Sequence, residues 1–199
     1  EAIAKAALDE PPAYIHWPDA DRNGSMEGLT PVKGHPGAFR TEGRVPDGAW
    51  RMDLGAQSIV PLLELQQGQT FLDVCAAPGN KTAQALAAGV RAIACDRSLV
   101  RIRALRHLAC AKVVLDAARP LPLNGRFDRI LVDAPCAGAG TLGRNPEIKW
   151  RLQVQKLDEF QRLQVAILRN AWELLAPGGV LVYSTCSLEP EENLRVVEA

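Results

Sequence analysis

The sequence predicts an α/β fold, in which a mostly parallel sheet carries helices on both faces. Three observations support this prediction. Five short apolar runs alternate with segments of helical periodicity, the pattern of strands joined by right-handed crossovers. The runs are continuously apolar, as strands covered on both faces are. An aspartate stands where three of the runs end, at Asp96, Asp116 and Asp133, and ligands bind at this edge of such sheets.

The first fifty residues differ from the rest of the chain. Proline and glycine recur there, and no apolar periodicity is sustained. We predict a helix over residues 1–8, then short strands and turns. Residues 1–50 are expected to form a partial N-terminal subdomain or appendage, and residues 51–199 the catalytic domain. An amphipathic stretch over 48–65 joins the two.

From residue 70 the predicted elements alternate regularly. The predicted strands cover residues 70–74, 91–95, 112–115, 127–132 and 180–183. The predicted helices cover residues 81–88, 99–109, 156–175 and the segment from 191 to the end. The tripeptide Pro177-Gly178-Gly179 is a helix-stop signal and is expected to follow the long helix.

Composition places the chain among globular proteins. It has 199 residues, of which 47% are hydrophobic and 23% charged, and this excludes disordered and fibrous classes. The 23 basic residues balance the 23 acidic ones, so the net charge gives no support for nucleic-acid binding. No apolar run approaches the roughly 20 residues that span a bilayer, and no signal peptide is evident. We therefore expect a cytoplasmic protein with no membrane partner.

The five cysteines predict free thiols. Their number is odd and no two form a CxxC pair, so we expect neither a disulfide framework nor a metal site. Cys95, inside an apolar strand, and Cys110, on an apolar helix face, are interpreted as small buried apolar residues. Cys136 and Cys186 instead follow the fourth and fifth predicted strands, where a thiol could be activated for attack. The three histidines show no ligand spacing and are given no catalytic role.

The segment DVCAAPGNKT, residues 73–82, is a turn of small residues between a strand and a helix. Such a turn lets a ligand approach the backbone closely. It lacks the spacing of a GxGxxG motif or of a phosphate-binding P-loop. With Asp96 placed to accept hydrogen bonds from ribose hydroxyls, it favours an adenosine-containing ligand.

Four motifs then carry a family resemblance. DVCAAPGNKT, DAPCAGAGT, RNPEIKW and STCSLEPEEN, in this order, resemble the signature motifs of the RNA cytosine-C5 methyltransferases of the Nol/Nop/Sun family, in particular the bacterial enzymes of small-subunit ribosomal RNA. The resemblance runs from about residue 48 to the end of the chain. It implies a Rossmann-like fold that uses S-adenosylmethionine, here expected to lack the final strand pair. Ribosomal RNA is the first expected substrate, transfer RNA the second, and the protein is expected to be a monomer.

The resemblance also implies roles for individual residues. The cofactor loop would consist of Cys75, Ala76, Ala77, Pro78, Gly79, Asn80 and Lys81. Asp96 would bind the ribose of the cofactor, Asp116 would lie by its adenine, and Asp133 beside its methionine part and the target base. Cys186 matches the nucleophile of the family, and Cys136 the second cysteine, which assists product release. Two positions depart from the family pattern: Asn80 replaces a common glycine and Ala137 a common serine.

Two other interpretations stay open at this point. The chain could be a catalytically silent RNA-binding or assembly module that keeps the fold, or it could methylate cytosine in DNA. The second is disfavoured because DNA enzymes take their nucleophile from the loop of Cys136, whereas Cys186 is present here.

Two groups of basic residues are candidates for phosphate contact. One surrounds Trp150, which we expect to pack inward, and consists of Arg144, Lys149 and Arg151. The other follows the second strand and consists of Arg97, Arg101, Arg103, Arg106, His107 and Lys112.

Overall fold

A computed structural model describes residues 11–20 and 26–199. The helix predicted over residues 1–8 lies outside the described residues. In the described part of the chain, no helix is both long and apolar enough to cross a membrane.

A small antiparallel sheet lies at the N-terminal side. Its strands are β1 (Tyr14–His16), β2 (Leu29–Pro31), β3 (Ala38–Thr41) and β4 (Trp50–Arg51), in the order β2-β3-β1-β4. Its core contains Ile15, Trp17, Leu29 and Phe39. The short strands and turns expected for this region are therefore present, and the sheet extends to residue 51.

The second sheet is fully parallel and has five strands. They are β5 (Thr70–Asp73), β6 (Arg91–Asp96), β7 (Ala111–Val114), β8 (Phe127–Asp133) and β9 (Leu175–Ser184). The spatial order is β7-β6-β5-β8-β9. Strands β6 and β7 lie on one side of β5, and β8 and β9 lie on the other. The direction in which strands are added therefore reverses between β5 and β8. This reversal opens a crevice at the carboxyl ends of those strands, and the predicted fold class is confirmed.

Six α-helices connect or flank these strands in the described part. They are α1 (Leu54–Gln57), α2 (Asn80–Leu86), α3 (Leu99–Ile102), α4 (Ile148–Arg151), α5 (Val154–Trp172) and α6 (Leu194–Val197). Short 3-10 turns cover Val60–Leu63, Arg103–His107, Ala139–Thr141 and Pro190–Glu192.

Hydrophobic layers cover both faces of the parallel sheet. Leu72 and Ile130 face α5, where they join Ile167 in one core. Phe71 points to the opposite face and packs with the residues before β5 and on α2. Successive residues of a strand point to opposite faces, so the continuous apolar runs supply both layers.

Three predicted helices differ from the observed elements. The long helix ends at Trp172, so Pro177-Gly178-Gly179 lies inside β9 and not after a helix. There the register advances two residues along β8 but five along β9, between the pairs Phe127–Leu175 and Arg129–Val180. The tripeptide thus forms a strand irregularity, with Gly178 at a φ of 75°.

The helix predicted over 99–109 is shorter in the structure, where it covers only Leu99–Ile102. It continues only as the 3-10 turn Arg103–His107, and Cys110 lies after it and not on a helix face. The C-terminal helix is also interrupted, because Asn193 has non-helical dihedral angles and its side chain donates to the carbonyls of Ser187 and Glu189.

Candidate active site

Two neighbouring clefts lie at the carboxyl edge of the parallel sheet. The strand-end cleft has a volume of about 220 Å³ and is lined, among others, by Asp96, Asp116, Asp133, Cys136 and Cys186. The inter-sheet cleft has a volume of about 320 Å³ and is lined, among others, by Tyr14, Arg51, Asp53, Asp73, Lys81 and Arg144. The two clefts share Cys75, Ala77 and Asp133. Every residue predicted for the site lines one or both clefts except Gly79.

Gly79 instead closes the turn after β5. Its φ is 109°, and a Cβ there would come within 2.7 Å of Leu105 Cγ. Only glycine meets both conditions without strain. The turn is further fixed by the N–H of Ala76, which donates to the carbonyl of Cys95 at 2.8 Å.

Asp73 is a site residue that the sequence interpretation missed. Its Oδ2 accepts a hydrogen bond from Thr82 Oγ1 at 2.6 Å, but its buried Oδ1 has no partner in the described structure. Burial raises the pKa of Asp73 to about 7. The available signal was its place as the first residue of DVCAAPGNKT.

Asp96 and Asp116 stand at the other end of the strand-end cleft. Asp96 is buried, and its carboxylate accepts from the N–H groups of Ala77 at 3.3 Å and Ser98 at 2.9 Å. Asp116 is exposed and accepts from the N–H of Ala118 at 3.1 Å. Backbone donors thus fix both carboxylates at the cleft wall.

Asp133, at the end of β8, is held from two sides. Its Oδ2 lies 2.6 Å from Lys81 Nζ, and its Oδ1 accepts from Ser184 Oγ at 2.7 Å. A carboxylate with both oxygens engaged has a fixed orientation. Ser184, two residues before Cys186, was also missed, although the STCS motif contains it.

The two predicted catalytic cysteines come together. Cys136 Sγ lies 2.9 Å from Cys186 Sγ, and both thiols are free. The hydrogen bond with Cys186 lowers the pKa of Cys136 to about 6, and the same bond, together with burial, raises the pKa of Cys186. The contact between the two sulfur atoms thus favours a pair in which one thiol donates a hydrogen bond to the other as a thiolate.

The remaining cysteines are poor nucleophiles. Burial raises the pKa of Cys75, raises that of Cys95 to about 12, and raises that of Cys110. The interpretation of Cys95 as a buried apolar residue is confirmed, whereas Cys110 is only partly buried.

Two glycines let the loops of Cys136 and Cys186 pack against each other. The N–H of Gly140 donates to the carbonyl of Cys186 at 2.9 Å, and a Cβ on Gly140 would come within 2.8 Å of that oxygen. Gly138 has a φ of 78°, and a Cβ there would come within 3.0 Å of Ile148 Cδ1. α4 therefore packs directly on the Cys136 loop.

The basic residues after Cys136 divide into two kinds. Arg144 pairs with Asp53 and donates to the carbonyl of Pro12 at 3.0 Å, so it connects this segment to the small sheet. The prediction that Trp150 packs inward is wrong. Its side chain is 79% exposed, and Lys149 Nζ lies 5.1 Å from its ring. α4 is a single turn whose Ile148 faces the Cys136 loop, so Trp150 is left on the outer face.

Fold and site together define a class. The strand order and the acidic strand ends are those of a Rossmann-like methyltransferase domain. A solved structure of a methyltransferase homologue from Pyrococcus horikoshii aligns with 98% of this chain and 71% of its own, with a TM-score of 0.81 and 26% identity. NSun6 from the same organism, solved with SFG, aligns with 76% of this chain and 41% of its own, with a TM-score of 0.69 and 30% identity.

Sequence comparison identifies the family. The model of the 16S rRNA methyltransferases RsmB/F matches residues 60–199, and the chain belongs to this family. Ribosomal RNA small subunit methyltransferase B of Cronobacter sakazakii is 39% identical over 198 residues, which cover 94% of this chain and 44% of the relative. The Yersinia pseudotuberculosis protein of the same name is 42% identical over 74% of this chain and 37% of its own length. The chain therefore spans less than half the length of these relatives, and the resemblance to Nol/Nop/Sun methyltransferases is confirmed.

Proposed function

We propose that the protein to which this chain belongs transfers a methyl group from S-adenosylmethionine to carbon 5 of a cytosine in RNA, with ribosomal RNA as the first substrate and transfer RNA the second. The observation that carries the proposal is the contact of Cys136 with Cys186 beside Asp133, at the carboxyl ends of β8 and β9. Family membership supports the ribosomal substrate.

The residues of the clefts fit the proposed cofactor. Asp96 is a fixed acceptor suited to a ribose diol. The unpartnered oxygen of Asp73 and the carboxylate of Asp133 suit the cationic methionine part, since a buried polar atom without a partner is costly. Cys75 to Lys81 would surround it, and Asp116 would lie by its adenine. When bound, the cofactor supplies an electrophilic methyl group.

The chain's own residues support the proposed chemistry on cytosine. Carbon 5 of cytosine is a weak nucleophile. Addition of the Cys186 thiolate to carbon 6 forms a sulfur–carbon bond and moves electron density to carbon 5. Asp133, oriented by Lys81 and Ser184, hydrogen-bonds the base edge around N3 and N4 as charge develops there. The base must be unstacked for this attack.

In this proposal, Cys136 assists the second half of the reaction. After carbon 5 has gained the methyl group, a base takes the proton from carbon 5, the electron pair of that C–H bond re-forms the double bond between carbons 5 and 6, and the bond to Cys186 breaks so that the sulfur leaves as a thiolate. Cys136, whose sulfur lies 2.9 Å away, assists this elimination.

RNA contact is proposed for the outer face of α4. Trp150 is exposed beside Lys149 and Arg151, and an aromatic ring among cations suits base stacking and phosphate contact. In this proposal, the local group supplies the positive charge for RNA contact that the net charge of the chain does not.

The test is methyl transfer from labelled S-adenosylmethionine to unmodified ribosomal or transfer RNA, with mapping of 5-methylcytosine. Cys186→Ala is expected to abolish transfer. Cys136→Ala is expected to retain attack and to accumulate a covalent protein–RNA adduct. Cys110→Ala is the matched control and should behave like the wild type.

Two outcomes contradict parts of the proposal. Full activity of Cys186→Ala with an inactive Cys136→Ala would reverse the nucleophile. Binding of cofactor and RNA by the full-length protein without any turnover would favour the silent RNA-binding module. The monomeric state and the cytoplasmic location stay predictions.

A further inference from the structure

Two buried side chains hold the backbone on both sides of Cys136. Gln164, on α5, donates through Nε2 to the carbonyl of Pro135 at 2.9 Å. The N–H of Ala137 donates to Glu192 Oε1 at 2.9 Å. The two side chains also contact each other, since Gln164 Nε2 lies 3.0 Å from the same Glu192 oxygen. Both residues are 0% exposed.

Glu192 itself belongs to the segment that carries Cys186. It lies in the turn Pro190–Glu192, just beyond the Cys186 loop. Its carbonyl accepts a hydrogen bond from the hydroxyl of Tyr183 on β9 at 2.7 Å, and its N–H donates to the carbonyl of Glu189 at 3.0 Å. The main chain of Glu192 is thus fixed to the strand of one cysteine while its side chain holds the loop of the other.

This arrangement is energetically costly for a packing role alone. Glu192 takes part in no ion pair recorded among the described residues, and its Oε2 has no hydrogen-bond partner there, nor does Gln164 Oε1. Apolar residues of similar volume would fill such a site at a lower cost in free energy. They would leave the N–H of Ala137 without an acceptor. The Cys136 loop would then lose the bond that fixes its position.

The geometry points to Glu192 and Gln164 as positioning residues that set the distance between the sulfur atoms of Cys136 and Cys186. Without them, two backbone bonds still join the two segments, from Ala134 to the carbonyl of Ser184 and from Gly140 to the carbonyl of Cys186, but neither fixes the backbone directly beside Cys136. The consequence for methyl transfer rests on the proposed function, whereas the effect on the thiol pair does not.

The test measures the pH dependence of thiol alkylation in the full chain, with peptide mass spectrometry to separate Cys136 and Cys186 from the other cysteines. In the wild type, one thiol of the pair should react with a midpoint well below the ordinary value of about 8.5. Glu192→Ala should move this midpoint up toward that ordinary value. Glu192→Gln should keep the low midpoint, because its amide oxygen can still accept from Ala137 and Gln164.

Gln57→Ala is the matched control. Gln57 is also buried and makes several hydrogen bonds, but with His16, Ile15 and Met52. It should lower the melting temperature without moving the midpoint. If Glu192→Ala fails to fold, Gln164→Leu serves instead and should move the midpoint in the same direction by a smaller amount.

An ordinary midpoint in the wild type, or an unchanged midpoint in the folded variants, would overturn the inference. In the methylation assay, Glu192→Ala should lower kcat while KM for RNA is unchanged. Because alkylation needs neither RNA nor cofactor, this inference can fail while the proposed function stands, and the reverse also holds.

Discussion

Gly140→Ala tests whether the close approach of the two cysteine loops is needed. The new Cβ would lie 2.8 Å from the carbonyl oxygen of Cys186, in a backbone conformation without a positive φ, so the cost comes from this contact. The loops must separate by several tenths of an ångström, and the 2.9 Å bond from Gly140 to Cys186 lengthens. A lost hydrogen bond costs about 1 kcal/mol, and overpacking adds about 1–3 kcal/mol.

The sum predicts that the free energy of unfolding falls by about 2–4 kcal/mol. For a chain of this size, that lowers the melting temperature by roughly 5–15 °C. Thermal unfolding measures it, and methyl transfer should fall as well because the loop of Cys186 moves. Gly55→Ala is the control: it lies in α1 with nothing within 4 Å of the added Cβ, so its stability should stay the same or rise. Equal melting temperatures and activities for Gly140→Ala and the wild type would refute the reasoning.

Two further predictions concern a buried acid and an exposed ring. Burial raises the pKa of Asp73 to about 7. Between about pH 4 and pH 7 the native state therefore keeps a proton that the unfolded chain has lost. The free energy of unfolding falls as the pH rises through this window. The cost is about 1.4 kcal/mol for each pH unit in that window. Asp73→Asn should remove this dependence in urea unfolding measured at pH 5 and pH 7.5; parallel stability curves for the two proteins would contradict it. Trp150→Ala should weaken binding of an RNA oligonucleotide by about 1–3 kcal/mol at fixed salt with no change in melting temperature. Trp172→Ala, at the end of α5 and also exposed, should leave RNA binding intact.

Local patterns predicted the sheet well. Buried parallel strands are continuous apolar runs, so all five appeared in the sequence within a few residues except for the start of β9. That start was missed because the pairing of Leu175 with Phe127 is a contact between distant segments. A helix-stop signal and a strand irregularity both use proline and glycine, and only the partner strand distinguishes them.

The candidate site was predictable where motifs mark it. Cys136, Cys186 and Asp133 come together at the strand ends as expected. Gln164 could not be predicted, because it lies within an amphipathic helix and acquires its role from a carbonyl 29 positions away in the sequence. Trp150 was misjudged because aromatic residues are usually buried, and no local pattern shows that a one-turn helix presents it outward.

The ion pair of Arg144 with Asp53 has a consequence for how firmly the segment after Cys136 is held to the region of the small sheet. Both side chains line the inter-sheet cleft and both are substantially exposed. An exposed pair of this kind, even with the added bond to Pro12, contributes only about 1–2 kcal/mol. A bulky polyanion that competes for Arg144 therefore has only this small free energy to overcome in breaking the contact at the wall of the 320 Å³ inter-sheet cleft.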